Sequence, residues 1–131
     1  MAKGFPMILD TCAPLWLAGG GGKLTRRTLK EIQASPAVYV SAISGFEIAL
    51  KAAKGKLTLP LPPHAWFEQV VAHHGLAVLA LELGVCIAAA QLPPIHDDPC
   101  DRFIIATAQL NHLAVVTTDE RFAEYGVKVL N

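Results

Sequence analysis

Asp98-Pro99-Cys100-Asp101-Arg102-Phe103-Ile104-Ile105-Ala106-Thr107-Ala108-Gln109-Leu110-Asn111, followed by Leu113-Ala114-Val115-Val116-Thr117-Thr118-Asp119, is the stretch whose reading decides the fold. Pro99 suits the first turn of a helix, where a missing N–H costs nothing, so a helix is predicted from there to about Asn111. Leu113 to Thr117 is apolar and β-branched, which predicts a buried strand. The strand runs straight into an acid, Asp119.

The same grammar extends in both directions. Met7-Ile8-Leu9 is a short apolar strand ending at Asp10. A short helix over Ala13 to Ala18 follows, and Gly19 to Gly22 must be loop. Lys23, Arg26, Arg27 and Lys30 fall on one stripe of a second helix. Ala37 to Val40 is a strand, then a helix runs from about Ser44 to Lys54. Pro60, Pro62 and Pro63 open another, near His64 to His73. Leu76 to Leu81 is a strand, Leu83 to Gln91 a helix, Glu120 to Tyr125 a short helix, and Val127 to Leu130 the last strand. Strands alternating with helices imply an α/β fold of three layers, a parallel central sheet with helices on both faces. No repeat or linker interrupts residues 1–131, so one domain is expected.

Composition narrows the function. Hydrophobic residues make up 53% and charged residues 17%, the balance of a globular chain. Eleven basic residues match eleven acidic ones, so binding nucleic acid through bulk positive charge is excluded and only a local patch or a metal is left. Cys12, Cys86 and Cys100 are widely spaced, which suggests neither disulfides nor a zinc site and fits reduced thiols in a cytoplasmic protein. Lys3 and the apolar stretch after it resemble a signal peptide, but Asp10 and four glycines follow where a cleavage site would stand. No membrane-spanning helix is expected, since Glu82 breaks the longest apolar region.

In open α/β sheets, function gathers beyond the carboxyl ends of the strands. Asp10 and Asp119 each follow a strand there. Glu47 lies early in the helix after the second strand, and Asp101 in the first turn of the helix that leads into the Leu113 strand. Each has an ordinary explanation. Ser44 and Glu47 fit a capping box, Glu47 can pair with Lys51, Asp98 can cap the Pro99 helix, and Asp10 and Asp119 can cap the helices after them. Together they are harder to explain as caps. Two carboxylates about 4 Å apart repel by roughly 4 kcal/mol at an effective dielectric of 20. A hard divalent cation would offset that, and oxygen ligands select magnesium or manganese.

Four segments carry a family resemblance. Ile8-Leu9-Asp10-Thr11, Val40-Ser41-Ala42-Ile43-Ser44-Gly45-Phe46-Glu47-Ile48, His96 to Ala108 with its D-P-x-D-R pattern, and Val116-Thr117-Thr118-Asp119-Glu120-Arg121-Phe122 occur in family order. The chain resembles a PIN domain, and within that superfamily the VapC-type ribonuclease toxins of toxin–antitoxin pairs. The resemblance implies a metal-dependent endoribonuclease that hydrolyses RNA phosphodiesters to a 5′-phosphate and a 3′-hydroxyl. It places the second aspartate's role on Asp101 and not on Asp98. Asp10, Glu47 and Asp101 would be the main Mg2+ or Mn2+ ligands, with Asp119 completing the site or orienting water. Thr11 and Thr118 would donate hydrogen bonds to the carboxylates. A homodimer and a cognate antitoxin are implied partners. Cys12 and Cys100 stand where relatives are expected to carry serine or an aromatic residue. The alternatives are a catalytically silent PIN domain that only binds a protein, and a phosphomonoesterase using similar metal chemistry.

The remaining signals are weaker. Gly19 to Thr25 is not a phosphate loop, because Leu24 interrupts the Gly-Lys-Thr order. The basic stripe on the second helix reads as a solvated face, and Lys51, Lys54 and Lys56 are open to the same reading. His96, one histidine beside a proline turn, reads as structural or exposed. Arg102 reads as the ion-pair partner of a nearby carboxylate. Trp16 and Trp66 read as core or interface residues.

Overall fold

A computed structural model describes residues 4–131; Lys3, on which the leader-like reading began, lies outside them. Five parallel strands form one sheet in the order β3-β2-β1-β4-β5, namely β1 (Met7–Leu9), β2 (Val38–Ser41), β3 (Ala77–Leu79), β4 (Ala114–Val116) and β5 (Val129–Leu130). The helices are α1 (Cys12–Ala18), α2 (Arg26–Ala34), α3 (Ala42–Ala53), α4 (Pro63–His74), α5 (Leu83–Gln91) and α6 (Pro99–Asn111), with a 3₁₀ helix over Glu120–Tyr125. The expected α/β architecture is therefore present.

Strand β1 lies at the centre and is fully buried. Its side chains alternate between two cores, as the pleat requires. Met7 and Leu9 pack with Ala13, Leu17, Ile32, Ile48, Trp66 and Val70. Ile8 points the other way, onto Ile43, Ile104, Ile105, Ala108 and Phe122. Helices therefore cover both faces, and three layers result. Trp66 is buried and Trp16 packs against the same core.

Register sets the level of the site. Leu9 pairs with Val40 on one side and with Val116 on the other. Asp10, Ser41 and Thr117 thus leave the sheet at one height. Strands β3, β4 and β5 are each shorter than the sequence suggested.

Two local expectations are corrected. Helix α3 starts at Ala42, and the Ser41 hydroxyl caps it by accepting from the Ile43 amide. β2 thus turns directly into α3, the Ser44–Glu47 capping box does not form, and Glu47 falls in the second turn. Arg102 makes no carboxylate pair among the described residues. Its guanidinium donates to the carbonyls of Ala89, Ala90, Leu92, Pro93 and His96 at 2.6–3.5 Å. The last carbonyls of a helix lack partners within it, and the five-donor fork of arginine suits them better than it suits one carboxylate.

Candidate active site

The carboxyl edge of the sheet holds the acidic residues. Asp10 follows β1 and is 8% exposed. It also caps α1, since the Ala13 amide donates to its Oδ1 at 2.9 Å. Asp98 caps α6 by accepting from the Cys100 amide, which leaves Asp101 in the first turn. Asp119 follows β4 and caps the 3₁₀ helix by accepting from the Arg121 amide. Asp10, Asp98 and Asp119 thus fill the capping roles their positions suggested, and Glu47 does not. The capping turns are what hold the carboxylates at this edge.

Electrostatics ties the cluster together. Burial pushes the Asp10 carboxyl above its ordinary value; a Thr117 hydrogen bond and the amides of Ala13 and Cys12 oppose this, and Glu47 adds to it. Asp101 is pushed up to about 7, first by burial, then by Asp98, with Glu47 and Asp10 adding, while His96 pulls it down. Asp10, Glu47, Asp98 and Asp101 therefore feel one another's charge. Lys51 pairs with Glu47 at 3.3 Å, as its spacing suggested. The other Glu47 oxygen, Oε1, is buried and has no hydrogen-bond partner among the described residues.

Asp119 behaves differently. Arg121 donates to it from Nε and Nη2 at 3.0 and 2.8 Å, and these bonds hold its carboxyl down at about 2. Its Oδ2 also meets His96 Nε2 at 3.0 Å. Its oxygens are thus largely committed to protein donors.

His96 was expected to be structural or exposed. It is 1% exposed and links two of the four candidate acids: its Nε2 is also 2.9 Å from Asp101 Oδ2. No spacing rule in the sequence points to it, because Asp119 arrives from another element. Thr11 and Thr118 are not seen on the carboxylates among the described residues. Thr11 bonds to Ser44, and Thr118 is exposed. Thr117 is the threonine that reaches Asp10, because it continues β4 with its side chain inward. Asp98 was expected only as a cap, yet its carboxylate, a Glu47 oxygen and the Cys100 sulfur all lie within 4.8 Å of one another and could hold a cation. His96, Asp101 and Asp119 form a second such group. Lys23, Arg26, Arg27 and Lys30 are exposed, and Arg27 pairs with Glu31.

The donor chemistry fits a divalent cation. Carboxylate oxygens are hard ligands, the charges repel unless neutralised, and the buried Glu47 Oε1 has no partner among the described residues.

The PIN domain family profile matches residues 7–128. The chain belongs to the PIN domain family. This PIN domain is 28% identical over 120 residues to Ribonuclease VapC22 of Mycobacterium tuberculosis, covering 91% of each chain. Its backbone resembles that of a toxin-antitoxin complex from Klebsiella pneumoniae, with a TM-score of 0.65, 22% identity, and coverage of 95% of this chain and 96% of the other. It also resembles VapBC2 from Rickettsia felis bound to a promoter DNA fragment, with a TM-score of 0.70, 12% identity, and coverage of 96% and 97%. Those two likenesses bear on the fold. In this PIN domain Asp10 and Asp119 follow β1 and β4, Asp101 lies in the first turn of α6, and Glu47 lies in the second turn of α3.

Proposed function

We propose that this PIN domain, taken as residues 1–131, is a metal-dependent endoribonuclease serving as the toxin of a type II toxin–antitoxin pair. The observation that carries the reading is the set of acids at the carboxyl edge, with the unpartnered Glu47 Oε1 and the proton affinities of Asp10 and Asp101 raised first by burial and then by acidic neighbours. The name of its curated relative, a ribonuclease, and the toxin–antitoxin complexes among its structural neighbours support it.

Asp10, Glu47 and Asp101 would hold Mg2+ or Mn2+, with Asp98 at the rim. The cation supplies a lowered pKa for attacking water and neutralises charge on the phosphate in the transition state. Asp10 and Asp101 lie mostly out of solvent, so water is partly excluded and their charges act at low dielectric. Asp119, saturated by Arg121 and His96, acts by fixing its neighbours and orienting water. RNA would approach through exposed Lys54 and Lys56 and the α2 stripe, since overall charge gives no attraction.

Two apolar surfaces are available for partners. α3 and β3 expose Phe46, Leu50 and Val78; α5 and α6 expose Leu83, Ile87 and Leu110. Exposed apolar surface of this kind marks protein contacts, and a second copy and an antitoxin are the partners proposed for it. The proposed setting is the cytoplasm, where three unpaired thiols stay reduced. Among the described residues no helix is long and apolar enough to cross a membrane.

End-group analysis tests the activity. Antitoxin-free protein with Mn2+ is expected to cut RNA to 5′-phosphate and 3′-hydroxyl ends and to leave a simple phosphate monoester intact. Monoester hydrolysis without RNA cleavage would make it a phosphomonoesterase. Inertness toward both would make it a binding module.

A further inference from the structure

His96 is held at every polar atom. Its amide donates to the Tyr125 hydroxyl at 2.7 Å and its carbonyl accepts from Arg102 at 2.9 Å. Its Nδ1 accepts from the Asp98 amide at 3.1 Å. Its ring stands edge-on to Phe122, with centroids 5.7 Å apart. An imidazole nitrogen that accepts carries no hydrogen, so the hydrogen is assigned to Nε2. That hydrogen faces Asp119 Oδ2 at 3.0 Å, with Asp101 Oδ2 at 2.9 Å.

We propose that His96 is a positioning residue of the cation site, whose buried Nε2–H draws the carboxylates of Asp101 and Asp119 together before a cation arrives. The proposal rests on the metal-dependent reading above. Three observations carry it. First, the two acids come from different elements, the start of α6 and the end of β4, and no backbone turn fixes their separation. Second, like charges at this distance would part unless a donor sits between them. Third, His96 is too deeply buried to touch RNA itself, so its effect must pass through its partners. A neutral donor suits this task better than lysine or arginine, since it adds no positive charge to compete with the cation. Donors behind ligating groups set their orientation, and losing one typically costs about 10–100-fold in metal affinity.

Two substitutions separate this role from mere packing. His96→Asn keeps an acceptor where Nδ1 meets the Asp98 amide and removes the donor toward the carboxylates. His96→Gln keeps a donor near the Nε2 position and removes the acceptor. Calorimetric titration of the folded proteins with Mn2+ is expected to show affinity lowered at least about tenfold in His96→Asn and held within about threefold in His96→Gln. Equal affinities in the two variants would overturn the proposal. Nitrogen-15 spectra of histidine-labelled wild type give a readout independent of metal and of either variant's folding. Hydrogen on Nε2, with a resonance displaced in Asp119→Asn, is expected; hydrogen on Nδ1 would overturn it. Wild type that takes up no Mn2+ would sink the metal reading itself, whereas wild-type binding unchanged in His96→Asn sinks only the role of His96.

Discussion

Asp101 and Asp119 show how differently two carboxylates on one sheet edge can be set. Burial and three acidic neighbours push Asp101 up to about 7, while Arg121 holds Asp119 down at about 2. The consequences for stability have opposite signs. Asp101 binds its proton more tightly in the folded chain than in the unfolded one, where it has its ordinary value near 3.8. Without metal, its contribution falls as pH rises from about 4 to 7. Asp119 adds stability above its unfolded value, and that is lost as pH falls toward 2. A cation replaces the proton on Asp101, so the gain in melting temperature on adding Mn2+ is expected to grow between pH 5 and 7.5 in scanning calorimetry. A gain independent of pH, or identical in Asp101→Asn, would contradict this assignment. Asp10 and Asp119 were legible as possible caps and are caps, as is Asp98 beside them, whereas Asp101 only follows a cap and Glu47 does not serve as one. Their joint role depended on family order, because no local rule distinguishes a cap from a ligand. His96 was not legible as a partner of the site, since its role depends on two residues brought in by other elements.

At the level of elements, α6 does the most to build the site. Asp98 caps it, Asp101 projects from its first turn, and Arg102 ties that turn to the end of α5 and to the His96 carbonyl. Ala106 lies against Val85 and Ala89, and these small residues let the two helices approach closely. Arg102→Met keeps the stem and removes all five carbonyl contacts. Leaving several acceptors unpaired is expected to lower unfolding free energy by about 2 kcal/mol in urea denaturation, and to weaken Mn2+ binding because His96 loses an anchor. A fully stable variant with unchanged metal affinity would show that α5 and the Pro93 turn hold themselves in place. The helix itself was readable from Pro99 and the apolar spacing that follows. The Arg102 contacts were not, because a sequence shows a charge but not which unpaired carbonyls lie within its reach. The start of α3 was misplaced for a related reason: Ser41 and Ser44 are equally good caps by type, and only the end of β2 chooses between them.

For the molecule as a whole, the parallel sheet and its two covered faces followed from alternation and apolar runs, which report burial directly. The partners did not, because exposed Phe46, Leu83 and Leu110 say only that something apolar belongs there. A net charge of zero gives no bulk attraction for RNA, so the proposed function rests on the cation. The most direct measurement is cleavage of labelled RNA by the antitoxin-free protein, with Mn2+ and with a chelator, in wild type and Asp101→Asn. Wild type is expected to cut only with the cation, and Asp101→Asn to lose at least about 100-fold in rate while remaining folded. Cleavage that survives the chelator, or that Asp101→Asn leaves intact, would contradict the account.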